Sequence, residues 1–388
     1  MKLKLAMQGG PKAIKGELPP WPIWGKEEAV LLKKTLDSGI WGVMGDEIPQ
    51  FSKSFAELLN IKHVLPVFNG TIALVLALET LGIGQGDEVI IPDYTFMATA
   101  VAPLKLGAKP VLVDVDPNTY CIDPSKIEEA ITDKTRAIIP VHLCGNICDM
   151  EKILSIAEKY NLRVIEDSAH AHGARMNGTY AGGFGDIGTF SFQSSKTLAC
   201  GEGGAVTTNS DEIFEKLFSY HNCGRPSSEP NYVHDLPGSN YRLGQFQAAV
   251  LNGQLERFKE QVVIRDRHGK LLTDLLDKIP GITPQKRANG LEVHGHYLLT
   301  FMLDKKIDRA EFKKALQAEG YLVQLEYPSI HSLGFMKPYL EEGKEYPVSD
   351  DLANHSVWLY HNALLGSEKQ IRQMAEAVEK VVKHFTSK

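Results

Sequence analysis

Cysteine is scarce in this chain. There are five among 388 residues. The nearest pair, Cys144 and Cys148, has no second cluster to complete a metal site, and no metal is implied. All five are read as reduced thiols of a cytoplasmic protein. Long apolar runs are also missing. The longest, such as residues 72–78, fall far below the roughly 20 residues a membrane helix needs, so no membrane partner is expected. Basic excess is absent: 42 Lys and Arg face 48 Asp and Glu, for a net charge of -6. That balance leaves no electrostatic footprint for nucleic acid or anionic lipid. The N-terminal MKLKLAMQGGPKAIKGELPPWP lacks a sustained apolar core and a cleavage site, so no secretory leader is expected. There are no repeats and no low-complexity tract.

The composition, 43% hydrophobic and 23% charged, is that of a globular protein. The length fits one large and one smaller domain. Residues 1–25 read as an arm rich in Pro, Gly and Trp, which either crosses to a neighbouring subunit or packs on its parent domain. Residues 26–260 read as a large α/β domain and residues 261–388 as a small α+β domain. Helical patterning covers residues 26–38 and continues, after a loop, to Leu59. Short apolar runs then alternate with helical stretches. The runs are 63–68, 88–93, 110–115, 137–143 and 163–167; the helices are 71–81, 95–106, 124–130 and 150–160. Two more strands, 186–192 and 204–209, bring the expected sheet to seven, largely parallel and flanked by helices. Helices at 212–220 and 245–278 follow. A strand at 295–303, a helix at 309–319, a strand at 321–329 and a closing helix at 366–385 complete the chain.

One stretch concentrates the chemistry. VIEDSAHAHG (164–173) is a buried strand ending in two carboxylates, and TFSFQSSKTLACGEGG (189–204) is a strand, a turn holding Lys196 and a glycine-rich exit. A carboxylate and a lysine at neighbouring strand ends can face one another across a pocket. Pyridoxal 5′-phosphate (PLP) needs that pair: a lysine to condense with its aldehyde and a carboxylate to keep its ring nitrogen protonated. Taken singly, Lys196 is a surface lysine and Asp167 a helix cap or structural acceptor. Four further elements accompany this pair. Asn69-Gly70-Thr71 opens a helix after a strand, where free N–H groups suit a phosphate, although Thr71 also suits an ordinary cap. Phe96 and Tyr94 lie just past a strand end and can stack on a planar ring or fill the core. Ser191, five residues before Lys196, can offer its hydroxyl to the phosphate. GSNYRLGQFQAAVL (238–251) is a polar turn entering an apolar helix.

Together NGTIAL, PDYTFMATA, PVHLCGN, VIEDSAHAHG, FSFQSSK with GEGG, and GSNYRLGQFQAA resemble the DegT/DnrJ/EryC1/StrS sugar aminotransferases, over about residues 20–260. WPIWGKEE, AHAHGA and HNCGRP are similar to the branch holding cyclitol aminotransferases and 3-amino-5-hydroxybenzoate synthases. The resemblance implies the fold-type I PLP-dependent transferase architecture and a homodimer with two shared sites. By position it makes Lys196 the cofactor-bearing lysine and Asp167 the partner of the pyridine nitrogen. It sets His170 beside the ring, Phe96 in the stacking position, and Gly70, Thr71 and Ser191 at the phosphate. Asn240 would reach the phosphate of the other subunit.

The implied reaction moves an amino group from L-glutamine or L-glutamate to a ketosugar or ketocyclitol by ping-pong transamination. Sugar dehydratases among the relatives carry His where this chain has Lys196. An aminodehydratase forming 3-amino-5-hydroxybenzoate is the rival enzyme, and a non-catalytic sensor is the rival from another class. Residues 39–46, 222–234 and 327–333, with Trp41, His234 and Tyr327, are expected to line the substrate pocket. His142, His294 and His296 are read as structural. No basic cluster for a diphosphate is evident, which favours an acceptor not linked to a nucleotide.

Overall fold

The computed structural model describes residues 4–227 and 233–386. The larger sheet is built from β1 (His63–Val67), β2 (Glu88–Pro92), β3 (Lys109–Val113), β4 (Thr135–Ile138), β5 (Arg163–Asp167), β8 (Ile187–Ser191) and β9 (Gly204–Thr208), with the short β6 (Arg175–Met176) and β7 (Thr179–Tyr180) between β5 and β8. Its order is β1-β9-β8-β5-β4-β2-β3. From β8 to β3 all neighbours are parallel, whereas β9 runs against both β8 and β1. The seven-stranded, mostly parallel sheet expected from the alternating pattern is present. Strands β2, β8 and β9 are buried along their whole length, as strands covered on both faces must be.

The covering helices are α1 (Lys26–Ser38), α2 (Glu47–Leu59), α3 (Gly70–Thr80), α4 (Ala98–Lys105), α5 (Met150–Tyr160), α6 (Asp211–His221) and α7 (Gln245–Leu276). Helix α3 is apolar all round, from Ala73 to Leu78, because every side of it is buried. The Asn69 side chain caps its first turn by accepting from the Ile72 N–H at 2.9 Å. Helix α7 runs unbroken through residues 260 and 261, so the two units share one 32-residue rod.

Beyond it lie β10 (Ile282–Pro284), β11 (Leu291–Val293), β12 (Leu298–Leu303), β13 (Val323–Gln324), β14 (Ser356–Tyr360), α8 (Arg309–Ala318), α9 (Pro347–His355) and α10 (Glu368–Thr386). A second, antiparallel sheet has the order β10-β12-β14-β13. Its core joins Leu272, Leu276, Phe301, Phe312, Leu359 and Met374. Leu5 and Ile14 of the N-terminal arm are buried in the same core. The buried Glu319 carboxylate accepts the Ala6 and Ala13 N–H groups at 2.8 and 2.9 Å and pairs with Lys380 at 2.7 Å. Of the two placements open to the arm, its first part therefore takes packing on its own chain.

Two expected elements differ. Residues 124–130 form two short 3-10 turns, Pro124–Lys126 and Glu128–Ala130, because the stretch between the Asp123 cap and the extended Ile131 is too short to offset helix nucleation. The strand expected over 321–329 is confined to Val323–Gln324. There the chain leaves the sheet edge: Glu326 pairs with Lys313 at 2.5 Å, and the Ile330 N–H bonds the Asp93 carbonyl at 2.7 Å.

Strand alternation sends the two carboxylates of β5 to opposite faces. Glu166 is fully buried. It accepts the Gly182, Phe184 and Gly185 N–H groups at 2.7–2.8 Å and meets His142 Nε2 at 2.9 Å. It is thus a structural acceptor that ties the β7–β8 connection under the sheet. Glu166→Ala would strand three peptide donors and a buried histidine. The expected loss is about 3 kcal/mol or more, read as the change in urea midpoint at constant m-value; a variant within 0.5 kcal/mol, the usual scatter of surface changes, would refute this role.

Candidate active site

The other carboxylate, Asp167, ends β5 on the face where β8 and its following turn deliver Lys196. Asp167 Oδ2 accepts the Thr99 hydroxyl at 2.9 Å, and Oδ1 accepts the Ala169 N–H at 3.2 Å. Burial pushes its carboxyl above the usual range. The Thr99 and Ala169 hydrogen bonds and then the Lys196 charge work the other way. Lys196 is 8% exposed. Burial lowers its ammonium from the usual 10.5 to about 8, against the pull of Asp167 and Cys144. Its Nζ lies 4.2 Å from the centroid of the Tyr297 ring.

His170 closes a second side. Its Nδ1 accepts the Cys144 N–H at 3.3 Å, which leaves the proton on Nε2, 3.3 Å from the Tyr327 hydroxyl. Burial, then the charges of Lys196 and His172, holds its pKa well below the ordinary value, so the ring is neutral. The His170 and Tyr297 rings are 4.3 Å apart, and Phe96 lies 5.4 Å from Tyr327. Phe96 is 49% exposed. Tyr94, the alternative stacking aromatic, is fully buried and bonds Ser356 Oγ at 3.2 Å, so it belongs to the core.

Gly70 and Ser191 meet below this cluster. A Cβ on Gly70 would stand 2.8 Å from Ser191 Cβ, and one on Gly204 would stand 2.5 Å from the Asn69 carbonyl carbon. The two glycines let the start of α3 lie against the ends of β8 and β9. The result is a helix N-terminus flanked by the Thr71 and Ser191 hydroxyls, the donor set a phosphate takes. These residues fit PLP: a phosphate cradle at α3, a buried amine, a buried carboxylate facing its charge, and aromatic faces between them.

Asn240 is not drawn into the cluster. It is exposed and bridges Asn222 through its backbone. Trp41 is exposed with its ring 5.8 Å from Phe246. His234 is exposed and binds the Cys223 carbonyl at 2.7 Å; residues 228–232 of that loop lie outside the described residues. Tyr327 is the expected lining residue that does reach the cluster. His142 is spent on Glu166, and His294 Nδ1 accepts the His296 N–H at 2.9 Å, as structural histidines do.

Three members were not singled out from sequence. Thr99 sits inside PDYTFMATA, four residues after Thr95, whose hydroxyl it contacts at 3.0 Å; that helical spacing was its only local mark. Cys144 lies in PVHLCGN and takes a left-handed φ of 62° that aims its N–H at His170. Tyr297 arrives with the second sheet, and nothing local marks it.

The profile of the DegT/DnrJ/EryC1/StrS aminotransferase family matches residues 22–379. A 3-amino-5-hydroxybenzoate synthase of Amycolatopsis mediterranei strain S699 is 36% identical over 378 residues, covering 94% of this chain and 97% of that protein. An L-glutamine:2-deoxy-scyllo-inosose aminotransferase of Streptomyces lividus is 36% identical over 424 residues, covering 99% of each. The crystal structure of a 3-amino-5-hydroxybenzoic acid synthase superposes with a TM-score of 0.89 at 36% identity, over 95% of this chain and 99% of the other.

The depressed lysine pKa sets a pH dependence. Below about 8 the Lys196 amine is protonated and unreactive; above it the free amine is a nucleophile. In the cofactor-free protein, the rate of Lys196 modification by an amine-directed aldehyde, mapped by mass spectrometry, is expected to rise with a midpoint near 8. A midpoint close to 10.5, the value of an ordinary lysine, would show that the amine is not desolvated.

Proposed function

The chain belongs to the DegT/DnrJ/EryC1/StrS aminotransferase family, and from that premise we propose that it transfers an amino group from L-glutamine to a ketocyclitol or ketosugar with PLP as cofactor. The buried, readily deprotonated amine of Lys196, facing Asp167, carries this reading. Gly70, Thr71 and Ser191 would hold the phosphate, Phe96 and His170 the ring, and Asp167 the pyridine nitrogen. When bound, PLP supplies an aldehyde that takes up the amine and a protonated ring that withdraws electrons from it.

The chain's own residues do the rest. Lys196 Nζ would hold the cofactor's aldehyde, and as a free amine that loses its proton near pH 8 it would be the base for the proton of the amino donor. Thr99 donates to Asp167 Oδ2 and so favours the carboxylate over the acid. Neutral His170 presents an uncharged face beside the amine. Buried Tyr297, whose hydroxyl is pushed up to about 12, stays a phenol and shields the amine from water.

The enzyme works as a cytoplasmic homodimer. Exposed Asn240, together with the exposed apolar Trp41, Phe68, Phe96 and Met97, supports burial of this surface by a second copy. Five free cysteines support a reducing compartment. An aminodehydratase making 3-amino-5-hydroxybenzoate is the second reading, favoured by the 36% identity to such a synthase.

The PLP-loaded protein is expected to be yellow and to bleach on addition of L-glutamine. Lys196→Ala should lose turnover while keeping part of its affinity for PLP; retained turnover would sink the assignment. Product mass separates the readings, since amine exchange conserves the carbon skeleton's hydroxyls and the dehydratase removes water.

A further inference from the structure

Two consecutive peptide carbonyls precede Lys196, and each is held by a ring N–H from a remote part of the chain. The Trp21 indole Nε1–H donates to the Ser194 carbonyl at 3.0 Å. His361 Nε2 donates to the Ser195 carbonyl at 2.9 Å. The Trp21 and His361 rings meet edge to face, with centroids 4.5 Å apart and planes at 84°. Trp21 belongs to the N-terminal arm and His361 follows β14, so the two ends of the chain converge on the lysine turn.

The grip has a foundation in α7. The Arg265 guanidinium lies over the Trp21 ring, its Cζ 5.2 Å from the centroid. Arg265 is fully buried. Gln261 Oε1, at 3.2 Å, is its hydrogen-bond partner, while Nε and Nη1 have none among the described residues. A guanidinium buried without a carboxylate needs an electron-rich surface, and the indole face supplies it. Burial, then the Arg265 charge, keeps the His361 ring neutral, consistent with Nε2 as its single donor.

A third contact comes from the second sheet. The Ser195 hydroxyl lies 2.7 Å from Gln193 Oε1 and 2.9 Å from the Tyr297 hydroxyl, and Tyr297 carries the ring under Lys196 Nζ. The turn is not part of a helix or strand, so its carbonyls must find donors elsewhere. We propose that Trp21, His361 and Arg265 are positioning residues, forming a clamp on the backbone of Ser194 and Ser195 that sets where the Lys196 amine points. The proposal rests on the reading of Lys196 as the cofactor-bearing amine. The clamp acts through the main chain: Arg265 orients the indole, the indole and imidazole orient two peptide planes, and the planes orient the lysine.

Displacing the turn would change the surroundings of the amine. The groups that face it are Asp167, Cys144, His170 and His172 from the larger-sheet unit, and His361 and Tyr297 from the second unit. The test uses PLP-loaded dimeric protein in four forms: wild type, Trp21→Phe, His361→Phe and His361→Gln. Trp21→Phe keeps an aromatic ring and loses the N–H; His361→Gln keeps a donor. The pH midpoint of the visible absorption band and the kcat and KM for L-glutamine are measured together.

Trp21→Phe and His361→Phe are expected to move the midpoint by about half a pH unit or more. Both should lower kcat about tenfold, with KM changed less than about twofold, as loss of orientation does. His361→Gln should recover most of the loss seen in His361→Phe. A fall in melting temperature alone, with midpoint and kcat as in wild type, would show a purely structural contact and overturn the clamp. A wild-type protein that takes up PLP without a visible band would instead overturn the reading of Lys196, and the clamp with it.

Discussion

The structure turns on keeping one amine out of water. An ammonium group in the interior loses hydration that the protein must replace. At Lys196 the replacement is partial: Asp167 supplies a charge and Tyr297 an aromatic face, and the remaining deficit appears as a pKa of about 8. The difference from 10.5 corresponds to about 3 kcal/mol of bias toward the neutral amine. A close ion pair would satisfy that lysine more fully, but it would also hold the amine protonated well above pH 8. Incomplete compensation is what makes the free amine accessible near pH 8.

The same burial explains the division of labour on β5. Adjacent residues of a strand face opposite sides, so Glu166 and Asp167 enter different surroundings. Glu166 meets three peptide N–H groups and His142, and becomes part of the frame. Asp167 meets one hydroxyl, one N–H and, across the cleft, a cation. The frame carboxylate is saturated, whereas the site carboxylate keeps capacity for a further partner. The placement of glycine follows similar logic. Gly70 and Gly204 sit where α3 must approach β8 and β9 closely enough to put a helix N-terminus and two hydroxyls together.

The site is completed from the far end of the chain. Tyr297, Tyr327 and His361 all belong to the unit around the second sheet, and α7 joins that unit rigidly to the first. The N-terminal arm adds Trp21, and its earlier part is anchored in the second core by Leu5, Ile14 and Glu319. The lysine turn thereby becomes the meeting point of three pieces of backbone distant in sequence. Its geometry depends on packing far from the larger sheet.

By itself the sequence determined what local patterns encode. Five apolar runs alternating with helical stretches, and two more beyond them, specified the larger sheet, because their short length and flanking turn residues mark strands where periodicity alone would not. Lys196, Asp167, Ser191 and Gly70-Thr71 were legible because each stands at a strand end or helix start, where function concentrates in α/β folds. The resemblance of several ordered motifs supplied His170, Phe96 and the chemistry. Only the tertiary structure decided that Glu166 belongs to the frame and Tyr94 to the core, and that Thr99, Cys144, Tyr297, Trp21 and His361 gather around Lys196. Those facts depend on contacts between residues up to about 340 positions apart, such as Trp21 with His361. Such contacts follow from how buried surfaces pack, and no local periodicity records them.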